Sequence, residues 1–127
     1  MGMWALQPWD NDAAADWFGD LMEVTNLRAK WLDGIREDCT DAPEIVRAAG
    51  ALFVMLGRVY VWPIDDYDHD LELAISALSK VAHTESVQES PELVAAIENE
   101  LAELKSRRKS EQVAAKELQR PWWKFWG

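Results

Sequence analysis

An all-α, compact bundle of four principal helices with an irregular aromatic N-terminal segment is the fold class this sequence predicts. Three observations carry it. Four segments repeat apolar residues at helical spacing, and those segments open on recognisable start signals. The one strand-like run, 59–62, has no second run of comparable quality to pair with, and reads as a loop or a helix end. At 127 residues the chain suits one core and is too short for two.

Residues 1–9 hold Trp4, Pro8 and Trp9 without a regular period, an extended lead-in that packs its indoles on the helices. Asp10, Asn11 and Asp12 then supply cap residues for a first helix with Ala14, Trp17, Phe18, Leu21 and Val24 on one face. Leu27, Trp31 and Ile35 keep a similar period, so this helix either runs on past Thr25 and Asn26 or restarts there. Gly34 and residues 37–40 end it. Asp41, Pro43 and Glu44 open the next helix with a cap, a first-turn proline and an acid facing the helix dipole.

From Ile45 to Leu56 only Arg47 is charged, which predicts that this second helix is the most buried. Gly50 within it costs about 1 kcal/mol of helix propensity, a loss that a closely crossing helix would explain. Leu71, Ala74, Ile75, Leu78, Val81 and Ala82 form the amphipathic stripe of a third helix, whose start is crowded by Asp65, Asp66, Asp68 and Asp70. Ser90, Pro91 and Glu92 start a fourth, with Leu93, Val94, Ile97, Leu101 and Leu104 inward and Glu103 one turn from Arg107.

Charge divides the chain. Residues 1–104 carry 6 basic and 21 acidic side chains, a net −15, whereas 105–127 carry 7 basic and 2 acidic, a net +5. The pattern predicts an acidic helical domain, 1–108, and a basic, Trp-rich tail, 109–127. An acidic body repels nucleic acid, whose binding rests on phosphate neutralisation. The apolar run 48–57 is far shorter than the roughly 20 residues a membrane span needs. The opening residues lack the layout of a secretory signal, and the single cysteine, Cys39, fits a reducing, cytoplasmic compartment. Asp38 and Asp41 beside Cys39 disfavour the thiolate that nucleophilic chemistry needs.

The opening Met1-Gly2-Met3-Trp4, then Trp9-Asp10-Asn11-Asp12-Ala13-Ala14 and Asp16-Trp17, resembles a bacterial domain-of-unknown-function family whose members begin Met-Gly-x-Trp-Gly and soon read aromatic-x-Asn-Asp. Ala42-Pro43-Glu44, Leu56-Gly57-Arg58 and the third and fourth helices extend the likeness over residues 1–108. Ala5 and Gln7 stand where that family usually has glycines, and the tail lies outside the resemblance. The resemblance implies a helical fold in a bacterial, cytoplasmic protein, and no activity or cofactor.

Several groups invite a chemical reading. Asp66, Asp68 and Asp70 have the first three ligand spacings of a calcium loop, but Leu71 stands where the loop needs glycine and Ala77 where it needs a bidentate glutamate. Capping of a helix by these acids is the alternative, and no metal is expected. Asp10 and Asp12 joined in space to Asp65 and Asp66 would make a carboxylate pair for acid and base work or metal-assisted hydrolysis, while helix capping explains Asp10, Asn11 and Asp12 without further assumption. His69 and His83 fall at opposite ends of one helix and cannot form an i, i+4 zinc pair. Trp17 and Trp31 belong to the core by spacing, and Trp4, Trp9 and Trp62 seal it or line a groove. In the tail, Trp122, Trp123, Phe125 and Trp126 beside Lys124 suit an anchor for a partner or a membrane surface, against a tail that folds back on its own acidic domain or stays unordered.

The function these features favour is non-enzymatic: an acidic binding or adaptor module that engages another protein, such as an immunity-like inhibitor of a basic partner. A metal-dependent hydrolase using the acidic clusters and a membrane-surface protein held by its tail are the alternatives. Oligomeric state is not legible.

Overall fold

The computed structural model describes residues 8, 9 and 11–108, which form six helices and no strand. They are α1 (Asp12–Thr25), α2 (Leu27–Ile35), α3 (Pro43–Leu56), α4 (Ile64–Ala82), α5 (Glu85–Gln88) and α6 (Pro91–Lys105). The all-α fold is as the periodicity predicts. Trp4, Asp10 and residues 109–127, with Trp122, Trp123, Lys124, Phe125 and Trp126, lie outside the described residues.

Asn11 caps α1, its Oδ1 accepting from the Ala14 N–H at 2.8 Å. The helix ends rather than running on, because Asn26 adopts φ 50 and ψ 38. Asparagine tolerates this left-handed conformation better than most residues, and the chain restarts in a new direction as α2. Asp41 does not cap α3. Its N-cap is Ala42, without a side-chain bond, and Asp38 Oδ1 instead accepts from the Thr40 and Asp41 N–H groups to fold the preceding turn. Residues 59–62 are a turn, with the Val61 and Trp62 N–H groups both donating to the Arg58 carbonyl. Ser90 Oγ caps α6 through the Leu93 N–H.

The central helix is α4, not α3. All six of its predicted stripe residues are buried, with Tyr67, Asp70 and Ala77 added, and it packs on α2, α3, α5 and α6. In α3 only Val46, Ala49, Gly50 and Phe53 are buried, while Ile45 and Met55 face solvent. An uncharged helix was a poor guide because exposed apolar residues are common on protein surfaces and a single buried face suffices to hold a helix. The short α5 had no sequence signal; it places Val87 in the core at the corner between α4 and α6.

Gly50 marks the expected close crossing. A Cβ there would lie 2.6–2.9 Å from the branched end of Leu78 on α4, and Leu78 is fully buried. Gly50→Ala should therefore destabilise by about 1–3 kcal/mol through overpacking, even though alanine is the better helix former. Urea unfolding measures it, and a stabilised variant would show that the two helices part easily here.

Arg107 closes the other end of α3. Its guanidinium donates to the carbonyls of Phe53, Val54 and Gly57 at 3.3, 2.8 and 3.0 Å, and to Glu103 Oε1 at 2.9 Å. The i, i+4 pair with Glu103 is as expected; the larger part, a cation on the carbonyls at another helix's C-terminus, is a tertiary contact.

Candidate functional site

Asp70 stands five residues beyond Asp65, too deep within α4 to cap a helix end, and its side chain is 0% exposed. An ionised carboxylate in that position requires partners. Arg28 from α2 supplies a bidentate clamp, Nε to Oδ2 at 2.6 Å and Nη2 to Oδ1 at 2.9 Å. The Trp62 indole N–H donates to Oδ2 at 2.8 Å, and His69 Nδ1 lies 3.1 Å from Oδ1. Burial pushes the Asp70 carboxyl up, but the Arg28, Trp62 and His69 hydrogen bonds outweigh it and hold the carboxyl below the ordinary Asp value. Arg28 is raised in turn by its bond to Asp70.

The cluster is a rivet between α2, the 57–63 turn and α4. Below it Trp62 meets Trp31 and Phe53 edge-on, with ring centroids 5.0 and 4.8 Å apart, and Trp31 donates its own indole N–H to the Ala49 carbonyl at 2.9 Å. Trp62 thus seals the core with its polar end satisfied.

Among the described residues the remaining acids of the predicted clusters do not join Asp70 in a metal-holding group. Asp66 approaches Arg28 Nε at 3.6 Å, Asp65 sits exposed in the first turn of α4, Asp68 points to the exposed side of the same helix, and Asp12 opens α1. Among the described residues no three His, Cys, Asp or Glu side chains are grouped to hold a metal ion. Both Asp70 oxygens are engaged by Arg28, Trp62 and His69, so the calcium-like spacing builds a fold contact instead. His83 bonds the Ser79 carbonyl at the far end of α4.

Two concave surfaces stand out among the described residues. A cleft of about 620 Å³ between α1 and the 57–63 turn is lined by Ala15, Gly19, Met22, Arg28, Trp62 and Ile64. Tyr60 at its edge holds a φ of 76, a strained value for a bulky side chain. A groove of about 510 Å³ between α3, α5 and α6 is lined by Ala48, Ala51, Val87, Leu93 and Ile97, with Arg47 and Glu100 paired at 2.8 Å on its rim.

The outer face of α1 corrects the expectation for Trp17. Met22 is the helix's one buried residue, and the stripe assigned to the core is only partly covered: Ala14, Phe18 and Leu21 are half-buried, while Trp17 is 62% and Val24 74% exposed. Trp17, Leu21 and Val24 follow one another at i, i+4, i+7, and Phe18 stacks edge-on against Trp17 with centroids 5.2 Å apart. Asp12, Asp16, Asp20 and Glu23 run beside them, and α1 has no Lys or Arg. Periodicity reveals that a stripe exists and not what covers it; α1 gives the core only Met22, and most of the rest comes from α2, α3, α4 and α6.

No family model, curated protein or solved structure matches the chain.

Sequence reasoning missed Arg28 as the partner of Asp70, since 42 residues separate them and Arg28 belongs to no local pattern. It also placed Trp17 and Val24 in the core, where the structure exposes both. No helix among the described residues is long and apolar enough to cross a membrane.

Proposed function

We propose that this acidic domain is a non-enzymatic protein-binding module whose docking element is the outer face of α1, and that its partner presents a basic segment bearing apolar side chains. The exposure of Trp17 and Val24 on a helix lined with acids is the observation that carries this reading. Large apolar side chains grouped on a surface favour association, and tryptophan is over-represented among residues that dominate binding energy. The flanking carboxylates speed and orient encounter with a cationic partner and disfavour nucleic acid. An inhibitor of a basic intracellular protein, of the immunity type, has this chemistry. The single cysteine supports a cytoplasmic setting, and the opening motif supports a bacterial one.

The test uses the full chain with Trp17→Asp and Val24→Asp together. Both side chains are largely in solvent, so the thermal melt should be nearly unchanged, while affinity for the protein that co-purifies from the native host should fall at least about thirtyfold, the effect of one lost anchor worth about 2 kcal/mol. Equal affinity would move the docking element elsewhere. Calorimetric titration with calcium, magnesium, manganese and zinc checks the rival chemistry: stoichiometric binding abolished by Asp66→Ala would replace the binding module with a metal-dependent enzyme.

A further inference from the structure

The α1 face has a candidate occupant within the chain itself. Residues 120–127 combine Arg120 and Lys124 with Trp122, Trp123, Phe125 and Trp126 and contain no acid, whereas α1 combines Trp17, Phe18, Leu21 and Val24 with four acids and no base. The two are complementary in both charge and apolar character.

Their placement is also compatible. The Arg107 guanidinium sits on the Gly57 carbonyl at 3.0 Å. Arg58, the next residue, lies over the Trp9 ring at 4.4 Å, just ahead of α1. The point where the tail leaves the domain and the start of α1 thus share one end of the molecule. Nineteen residues, 109–127, reach up to roughly 60 Å when extended, and α1 at 14 residues is about 21 Å long, so the whole face lies within range. The α3–α5–α6 groove is the poorer match, since its Glu100 is already paired with Arg47 and it lies against the N-terminal half of α6, away from the tail's exit.

We infer that the basic aromatic tail, residues 109–127, is the resting occupant of the α1 face and competes there with the external partner. This rests on the docking reading of that face. Tethering sets the tail's effective concentration in the millimolar range, so a contact too weak to persist between separate molecules is enough to cover the helix. The partner must displace the tail, which makes the tail an internal competitor that tunes affinity.

Hydrogen exchange on the full chain tests this, comparing wild type with Trp122→Ser, Trp123→Ser, Phe125→Ser and Trp126→Ser combined. The α1 amides should exchange about tenfold faster in the tail variant while those of α4 are unchanged. Raising salt to about 0.5 M should shift wild type the same way, because exposed charge pairs are screened. A synthetic peptide of residues 109–127 added to the tail variant should restore slow exchange, and should not do so when Trp17→Asp and Val24→Asp are also present.

Identical α1 exchange in wild type and tail variant overturns the inference. So does protection that rises with protein concentration, which would make a second copy the occupant. If the peptide protects α1 although the two chains exchange alike, the docking face stands and the tail's role falls. If protection depends on the tail while partner affinity ignores Trp17 and Val24, the tail's role stands and the docking reading falls.

Discussion

Asp70→Ala should destabilise the protein by about 3–5 kcal/mol, the usual consequence of removing one member of a buried ion pair. The loss arises less from the pair's own attraction than from what remains. Arg28, about a quarter exposed, loses its bidentate partner and retains only the 3.6 Å approach of Asp66, and the buried Trp62 indole N–H loses its acceptor. Arg28→Ala should also destabilise, and the double variant should fall short of the sum of the two, because each single change already breaks the same contact. Additive losses in urea unfolding would mean that the two residues act separately.

The same site predicts a pH dependence. The Asp70 carboxyl is held below its ordinary value in the folded state, so its contribution is fully present above the unfolded value near pH 3.9 and is lost as pH falls through the lower folded value. The stability gap between wild type and Asp70→Ala should stay constant from about pH 7 to 5 and shrink below about pH 4. A gap that widens on acidification would reverse the assigned direction.

Phe53→Ala is the second large effect, at about 3–5 kcal/mol. Phe53 is fully buried and contacts Trp31, Trp62 and Tyr67, with centroids 5.3, 4.8 and 6.1 Å away. It joins α3 to α2, the 57–63 turn and α4 at once, and these rigid rings cannot collapse into the space it leaves. Ile45→Ala on the exposed side of the same helix should stay within about 0.5 kcal/mol. Denaturant melts of the two variants compare the faces of α3 directly, and a neutral Phe53→Ala would remove this side chain from the centre of the core.

Elements whose signals are local were legible in the sequence. The α4 stripe, the Ser90 cap of α6, the Asn11 cap of α1 and the pairing of Glu103 with Arg107 each depend on residues within a turn or so of one another, where propensity and hydrogen-bond geometry act alone. The close approach at Gly50 was legible too, since a glycine inside a helix is costly unless another helix needs the space.

Tertiary packing decided the rest. Asp66, Asp68 and Asp70 look equivalent as a run of alternate acids, and only the position of Arg28 and Trp62 made Asp70 a buried rivet and left Asp65 and Asp68 on the outside. Trp17 and Trp31 have the same helical credentials, yet Trp31 lies in the core and Trp17 in solvent. Helical spacing places side chains on a common face but carries no information about the rotation of that helix against its neighbours. For α1 that rotation follows the left-handed turn at Asn26 and the seat of Met22, and it turns outward the aromatic and acidic face on which the proposed function depends.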